Sequence, residues 1–253
     1  MITGSLTVVP GHAVRVNEPT NADPWAPENW ILQGFQQGEV PFYREHAMHG
    51  VIEAVHNPDT LLAFSGGMTR PESLQSESFS YREASSHCGW WLPESLYDWR
   101  NEFLLNRVIV ETSARDSFEN LLFSLLSFNL INGAWPTTIT VVGWEFKRMR
   151  FDLHRRALRI PDNAWRYEGV NNPFDLAGAL KGEMKAIAAF AADPYGCTGA
   201  LLAKREERNP HNEQIKYFDR ALLPEIADFV DFCANNTEGI FPGKFPWEPR
   251  DLS

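Results

Sequence analysis

Lys147, Arg148 and Arg150 crowd into VVGWEFKRMRF, residues 141–151, where a strand-like run (TTITVV) meets a glycine and a helical pattern begins. Each cation at the positive end of a helix dipole costs a few tenths to about 1 kcal/mol. A cluster there breaks a local rule, and broken local rules mark sites. Anion binding is the chemistry that would offset the cost. Three other loops offer the same chemistry: PGHAVRVN (10–17) with Arg15, SGGMTRPE (65–72) with Arg70, and TSARDSFEN (112–120) with Arg115. Gly11, Gly66 with Gly67, and Gly143 stand near the strand ends, where bare backbone can approach a ligand and present its amides.

Proton-handling groups sit beside these cations. His12 follows Pro10-Gly11 at the end of the first apolar run, a position where an acid or base is useful. Glu111 closes the run RVIVE; it can orient a ligand hydroxyl, neutralise Arg115, or act as a base if desolvation raises its pKa. Glu145 enters the fourth loop beside Lys147, although a glutamate there also serves as a helix cap. Ser65-Gly66-Gly67 has the look of a short phosphate or carboxylate cradle without the lysine and full spacing of a P-loop, and it also suits a tight turn. Ser76-Glu77 opens the next helix, Ser113 precedes Asp116 as in a capping box, and Asn120 lies where it can bond across to a neighbouring loop. The competing reading is that the cations pair internally with Glu77, Glu111, Asp116 and Glu145 as a salt-bridge network.

Two other groupings carry less. His46, His49 and Glu53 fall on one helical face, but no further ligand completes a metal site, and none is expected. Lys204, Arg205, Arg208, Asn209 and His211 read as a solvated face; the sharper alternative is a flap that brings cations over a ligand. There is no zinc motif, nucleophile elbow or Cys-His signature.

The elements that must position these residues alternate between strand and helix. Strands are expected at 6–10, 60–64, 107–111 and 137–142, with a fifth at 164–170. Helices are expected at roughly 28–56 with a break at Pro41, 77–89, 116–130, 146–158, about 175–191, and near 219–235. This βα alternation predicts an α/β fold, a Rossmann-like mainly parallel sheet with helices on both faces. Residues 1–170 would form that domain, and 171–253 a smaller helical appendage and C-terminal wrap on the same core. In such sheets ligands sit at the carboxyl ends of the strands, where the four cationic loops converge.

The composition, 43% hydrophobic and 22% charged over 253 residues, suits a globular chain with one large core. A formal charge of −10 without a basic stripe disfavours nucleic acid as a partner. No apolar run reaches the roughly 18 residues of a membrane span, and MITGSLTVVPG lacks the marks of a signal peptide. Cys88, Cys197 and Cys233 are scattered, which predicts free thiols in a reducing compartment and a cytoplasmic location. The oligomeric state is not legible.

Taken together, Gly11, Ser65-Gly66-Gly67, Ser76-Glu77, the stretch from Glu111 through Ser117 to Glu119-Asn120, and Phe146 with Arg150 resemble the YdcF-like family, which includes the SanA and ElyC proteins and is known as domain of unknown function 218. The resemblance spans about residues 6–158. It implies a Rossmann-like domain and a pocket for a nucleotide-like or phosphorylated ligand, with S-adenosylmethionine as a candidate cofactor. Lys147 stands where the family commonly has histidine, so a fixed cation replaces a titrating imidazole. The envelope role of the anchored members does not carry over, because no anchor is seen here.

The expected function is a soluble enzyme acting on a small anionic metabolite held by Arg70, Arg115, Lys147 and Arg150, with His12 or Glu111 handling protons. The alternative is a non-catalytic module that senses a nucleotide-like ligand.

Overall fold

A computed structural model describes residues 4–92, 106–235 and 237–248. The sheet strands are β1 (Ser5–Pro10), β4 (Thr60–Ser65), β5 (Val108–Glu111), β6 (Thr138–Trp144) and β7 (Trp165–Asn171). All pair in parallel, in the order β5-β4-β1-β6-β7. Two short strands, β2 (Val14–Arg15) and β3 (Trp30–Ile31), form a separate antiparallel pair within the first long connection. The fold is therefore the α/β Rossmann-like arrangement that the sequence predicts.

Period-two alternation builds two cores from one sheet. Leu6, Val8, Leu61, Ala63, Ile139 and Val141 face one core, shared with α3 (Ser117–Asn132) and α4 (Arg148–Ala157). Val9, Leu62, Phe64, Val142 and Trp144 face the other, which α1 (Val40–His56) and α2 (Glu77–His87) complete. Residues beyond β7 add to the first core: α5 (Leu176–Ala192) contributes Phe190, α7 (Ala227–Ala234) contributes Phe229, and the C-terminal segment contributes Phe241 and Phe245. Between α5 and α7 runs α6 (Gly199–Glu207).

Several expectations need correction. The helix expected over 28–56 begins at Val40, because Pro41 occupies its first turn, where a missing N–H costs nothing; residues 27–36 form 3-10 turns around β3 instead. The helix near 219–235 shortens to α7. The region beyond Asp193 holds α6, which its prolines, glycines and charges concealed. Cys197 and Cys233, expected as free thiols, form a disulfide, and Cys88 alone is free among the described residues. Folding brings their Cα atoms to 5.0 Å across 36 positions of chain, which removes the basis for inferring a reducing compartment. No helix among the described residues is long and apolar enough to cross a membrane.

Candidate functional site

Because β1 is central and the chain leaves it first toward β4 and later toward β6, the strand order reverses there and a crevice opens at the carboxyl edge. A cavity of about 680 Å³ occupies that crevice. Pro10, Gly11 and His12 reach it from β1, Arg115 to Ser117 and Asn120 from beyond β5, and Trp144, Phe146, Lys147 and Arg150 from beyond β6. The turn at Gln33–Gln37 and the helix α5 face them, with Phe35 and Phe174 at 75% and 82% exposure.

The glycine loop after β4 does not cradle a ligand. Ser65 is fully buried, and neither Gly66 nor Gly67 lines the cavity. Their amides are spent inside the protein: Gly66 N donates to Glu111 O at 3.0 Å and Gly67 N to Ala114 O at 2.7 Å. Their carbonyls accept from Ser78 and Glu77 at the start of α2. The glycines are needed because Glu77 packs directly on them. A Cβ at Gly11 would lie 2.5 Å from Glu77 Cβ, and one at Gly66, where φ is +152°, 2.6 Å from Glu77 Oε2. Glu77 accepts from Thr69 Oγ1 at 2.7 Å and borders the cavity.

Glu111 lies behind the cavity wall. It is fully buried, accepting from Ser65 Oγ at 2.6 Å and Ser113 N at 2.6 Å. Burial pushes its carboxyl up to about 7, against the pull of those two hydrogen bonds. Ser65 Oγ also stands 2.9 Å from Asn120 Oδ1, so Glu111 fixes Ser65 and, through it, a side chain that does reach the cavity. Glu145 is turned outward at 42% exposure and grips Arg148 at 2.6 Å; it does not line the cavity.

The expected cations divide into two groups. Arg115 clamps Glu119 with Nε and Nη2 at 2.9 and 2.5 Å. Arg150 clamps Glu183 of α5 at 2.9 and 2.8 Å. These two pair internally, but with Glu119 and Glu183 rather than with Glu77, Glu111, Asp116 or Glu145; Arg148 alone of the three meets an expected partner, Glu145. Arg70 stays outside the wall; its Nη2 reaches Gln36 Oε1 only at 3.5 Å, and its Nε is buried without a hydrogen-bond partner.

Lys147 differs. Half-buried at the cavity wall, it has no ion pair or hydrogen bond among the described residues, and its ammonium lies 5.6 Å from the centre of the Phe146 ring. Burial first, then Arg150, brings its pKa down to about 7, with Arg208 acting the same way and Glu183 and Glu39 opposing. Two cations from the C-terminal part join it, Lys204 of α6 and Arg208 just beyond. Burial, then Arg208 and Arg150, lowers the Lys204 pKa. Arg208 Nη1 donates to Arg115 O at 2.7 Å. Of the charged cluster after α5, Lys204 and Arg208 thus line the cavity, while Arg205, Asn209 and His211 do not.

What holds α6 in place is a buried ion network. Arg205 donates to Asp116 Oδ2 at 2.6 Å, to Gly196 O and Tyr195 O at 2.8 Å each, and lies 3.4 Å from Glu119. Burial alone would raise the Asp116 pKa; Arg205 overcomes it and holds that carboxyl below the ordinary range. His211 Nε2 ties the neighbouring loop down by donating to Arg70 O and Ser73 O at 3.0 Å.

His12 borders the cavity with its ring 5.7 Å from His46 and 6.2 Å from Trp144. Its Nε2 is buried without a hydrogen-bond partner, and burial together with Lys147 drives its pKa well below the ordinary histidine value. His46 Nε2 donates to Asn171 Oδ1 at 2.8 Å, and no group of three His, Cys, Asp or Glu side chains among the described residues is placed to hold a metal ion. A Ser117 Oγ to His154 Nε2 bond of 2.8 Å, not anticipated from sequence, joins the cavity wall to α4.

No protein-family model matches the chain, and no solved structure matches it. The chain is similar to the uncharacterized protein YOR238W of Saccharomyces cerevisiae, with 27% identity over 159 residues, 56% of this chain and 52% of the yeast protein. It thus spans about half the length of that relative.

Proposed function

We propose that this chain is an enzyme acting on a small anionic metabolite, nucleotide-like or phosphorylated, bound at the carboxyl edge of the sheet. The observation that carries this reading is the meeting of Lys147, Lys204 and Arg208 on one cavity wall with no ion pair among the described residues. Formal charge on the wall is balanced, but its distribution is not. Glu183 is clamped by Arg150, Asp116 by Arg205, Glu77 accepts from Thr69, Glu39 accepts from Tyr43, and Asp175 caps α5. Each carboxylate already accepts a hydrogen bond or ion pair, Glu39, Glu77 and Asp175 from neutral donors, while Lys147, Lys204 and Arg208 meet without an ion pair among the described residues, in a chain with 33 acidic against 23 basic residues. An anion relieves that repulsion. His12, kept neutral, is the proton acceptor beside it. The resemblance to the YdcF-like family points to the same edge and admits S-adenosylmethionine as a nucleotide-like ligand.

Thermal shift against inorganic phosphate, nucleotides, S-adenosylmethionine, sugar phosphates and small carboxylates tests the reading, with Trp144 fluorescence as a second signal. At a hundred times Kd a ligand adds about 2.7 kcal/mol, or roughly 5–10 °C for a chain of this size. The shift should vanish in Arg208→Ala; no shift from any class refutes the reading. The displacement of Glu111 and Glu145 from the cavity favours one second reading, a non-catalytic module for a nucleotide-like ligand, which shows saturable binding without turnover.

A further inference from the structure

The arginines flanking Lys147 each have a carboxylate, Arg148 with Glu145 and Arg150 with Glu183. Lys147 has none within ion-pairing distance among the described residues, yet it faces the cavity. Around it stand Arg150 in the first turn of α4, Glu183 of α5, Glu39 at the start of α1, Arg208 beyond α6, and the imidazoles of His12 and His46. Phe146, Phe151 and Trp144 supply apolar wall beside it. A primary amine so placed is crowded by cations and partly desolvated, and both conditions convert a lysine from a charge into a nucleophile.

We propose that Lys147 captures a carbonyl carbon, its amine forming an imine with a small aldehyde or ketone whose phosphate or carboxylate is held by Lys204 and Arg208. The substrate class rests on the anion reading above; the nucleophile does not. The nitrogen lone pair forms the C–N bond, and the carbonyl π pair moves to oxygen. The oxygen then receives the two amine protons, with neutral His12 available to relay them, and departs as water while C=N forms. The imine takes one proton from solvent to become the iminium, which withdraws electrons from the adjacent carbon. No oxidant, reductant or metal is required. A cavity of about 680 Å³ accommodates a molecule of this size.

The test uses the full chain with pyridoxal 5′-phosphate and glyoxylate as probes, borohydride reduction, and peptide mass spectrometry. At pH 7.4 the expected result is about one equivalent of reduced adduct on Lys147, formed at least ~10-fold faster than on the exposed Lys181 and Lys185, since the neutral-amine fraction of an ordinary lysine is roughly a thousandth. The labelling rate at Lys147 should rise to half its maximum near pH 7, fall when inorganic phosphate competes, and be absent in Lys147→Arg, whose folding is checked by circular dichroism. The wild-type rate comparison needs no variant. Labelling spread evenly over surface lysines overturns the proposal. A phosphate-dependent thermal shift without adduct at Lys147 also overturns it while leaving the anion reading intact. Adduct at Lys147 that phosphate does not suppress supports carbonyl capture and counts against the anion reading.

Discussion

Glu111→Gln should change how stability depends on pH, and its sign follows from the burial of that carboxyl. In the folded chain Glu111 titrates at about 7, against 4.5 for an ordinary glutamate. Between those values the folded protein holds a proton that the unfolded chain has released, so the Glu111 contribution is complete below pH 4.5 and is lost as pH rises through 7. At about 1.4 kcal/mol per pKa unit, the loss amounts to about 3 kcal/mol between pH 4.5 and 8. Protonated Glu111 donates to Ser65 Oγ, and Ser65 then turns its hydroxyl to Asn120 Oδ1, 2.9 Å away. Glutamine mimics that neutral state at every pH. Equilibrium urea unfolding of both proteins at pH 5 and pH 8 isolates the effect, since other titrating groups cancel in the double difference. The variant should gain about 3 kcal/mol relative to the wild type between the two pH values. Parallel pH profiles would refute the reasoning and mean that the two hydrogen bonds keep Glu111 ionised.

Two further outcomes follow from groups outside the cavity. Arg205→Ala leaves Asp116 buried without its cation, while Glu119 keeps Arg115, so denaturant melts should show a loss of about 3–5 kcal/mol, and a change below about 1 kcal/mol would mean that water replaces the guanidinium. Cys233→Ser opens a 36-residue loop and should cost about 3–4 kcal/mol by loop entropy; the same loss should appear in the wild type on adding a reductant, and an unchanged melting temperature under reduction contradicts it.

The strands β1, β4, β5 and β6 were legible because each is a short apolar run ending near a glycine or a polar turn, and because alternate residues had to face two different cores. That placed His12, Arg115, Lys147 and Arg150 at one sheet edge from sequence alone. What sequence could not show is which charges find partners. Glu183 meets Arg150 across 33 positions and Arg205 meets Asp116 across 89, distances over which neither composition nor periodicity constrains geometry. A clue existed in α5, whose 17 residues contain a single acidic side chain, Glu183, beside the exposed Lys181 and Lys185 on a helix otherwise without charge. The glycine loop misled for a physical reason: glycine suits close approach by a ligand and close approach by a helix equally well, and here Glu77 of α2 occupies the space. Lys204 and Arg208 were seen as a cluster, but their helix was hidden behind Pro194, Gly196 and Gly199.

The span of sequence that the cavity recruits sets an order in time. His12 and Lys204 lie about 190 residues apart; at 5–20 residues per second the ribosome delivers the second roughly 10–40 s after the first. The central strand β1 is made first but waits for β4 and then β6 before both its edges are paired. During that interval the nascent chain can hold a partial sheet with its carboxyl edge unroofed, before Glu183 arrives to neutralise Arg150 and Arg205 to settle Asp116. A chain that stops after β7 lacks Glu183 and Arg205, so Arg150 and Asp116 have no partner in it and the cavity wall is incomplete.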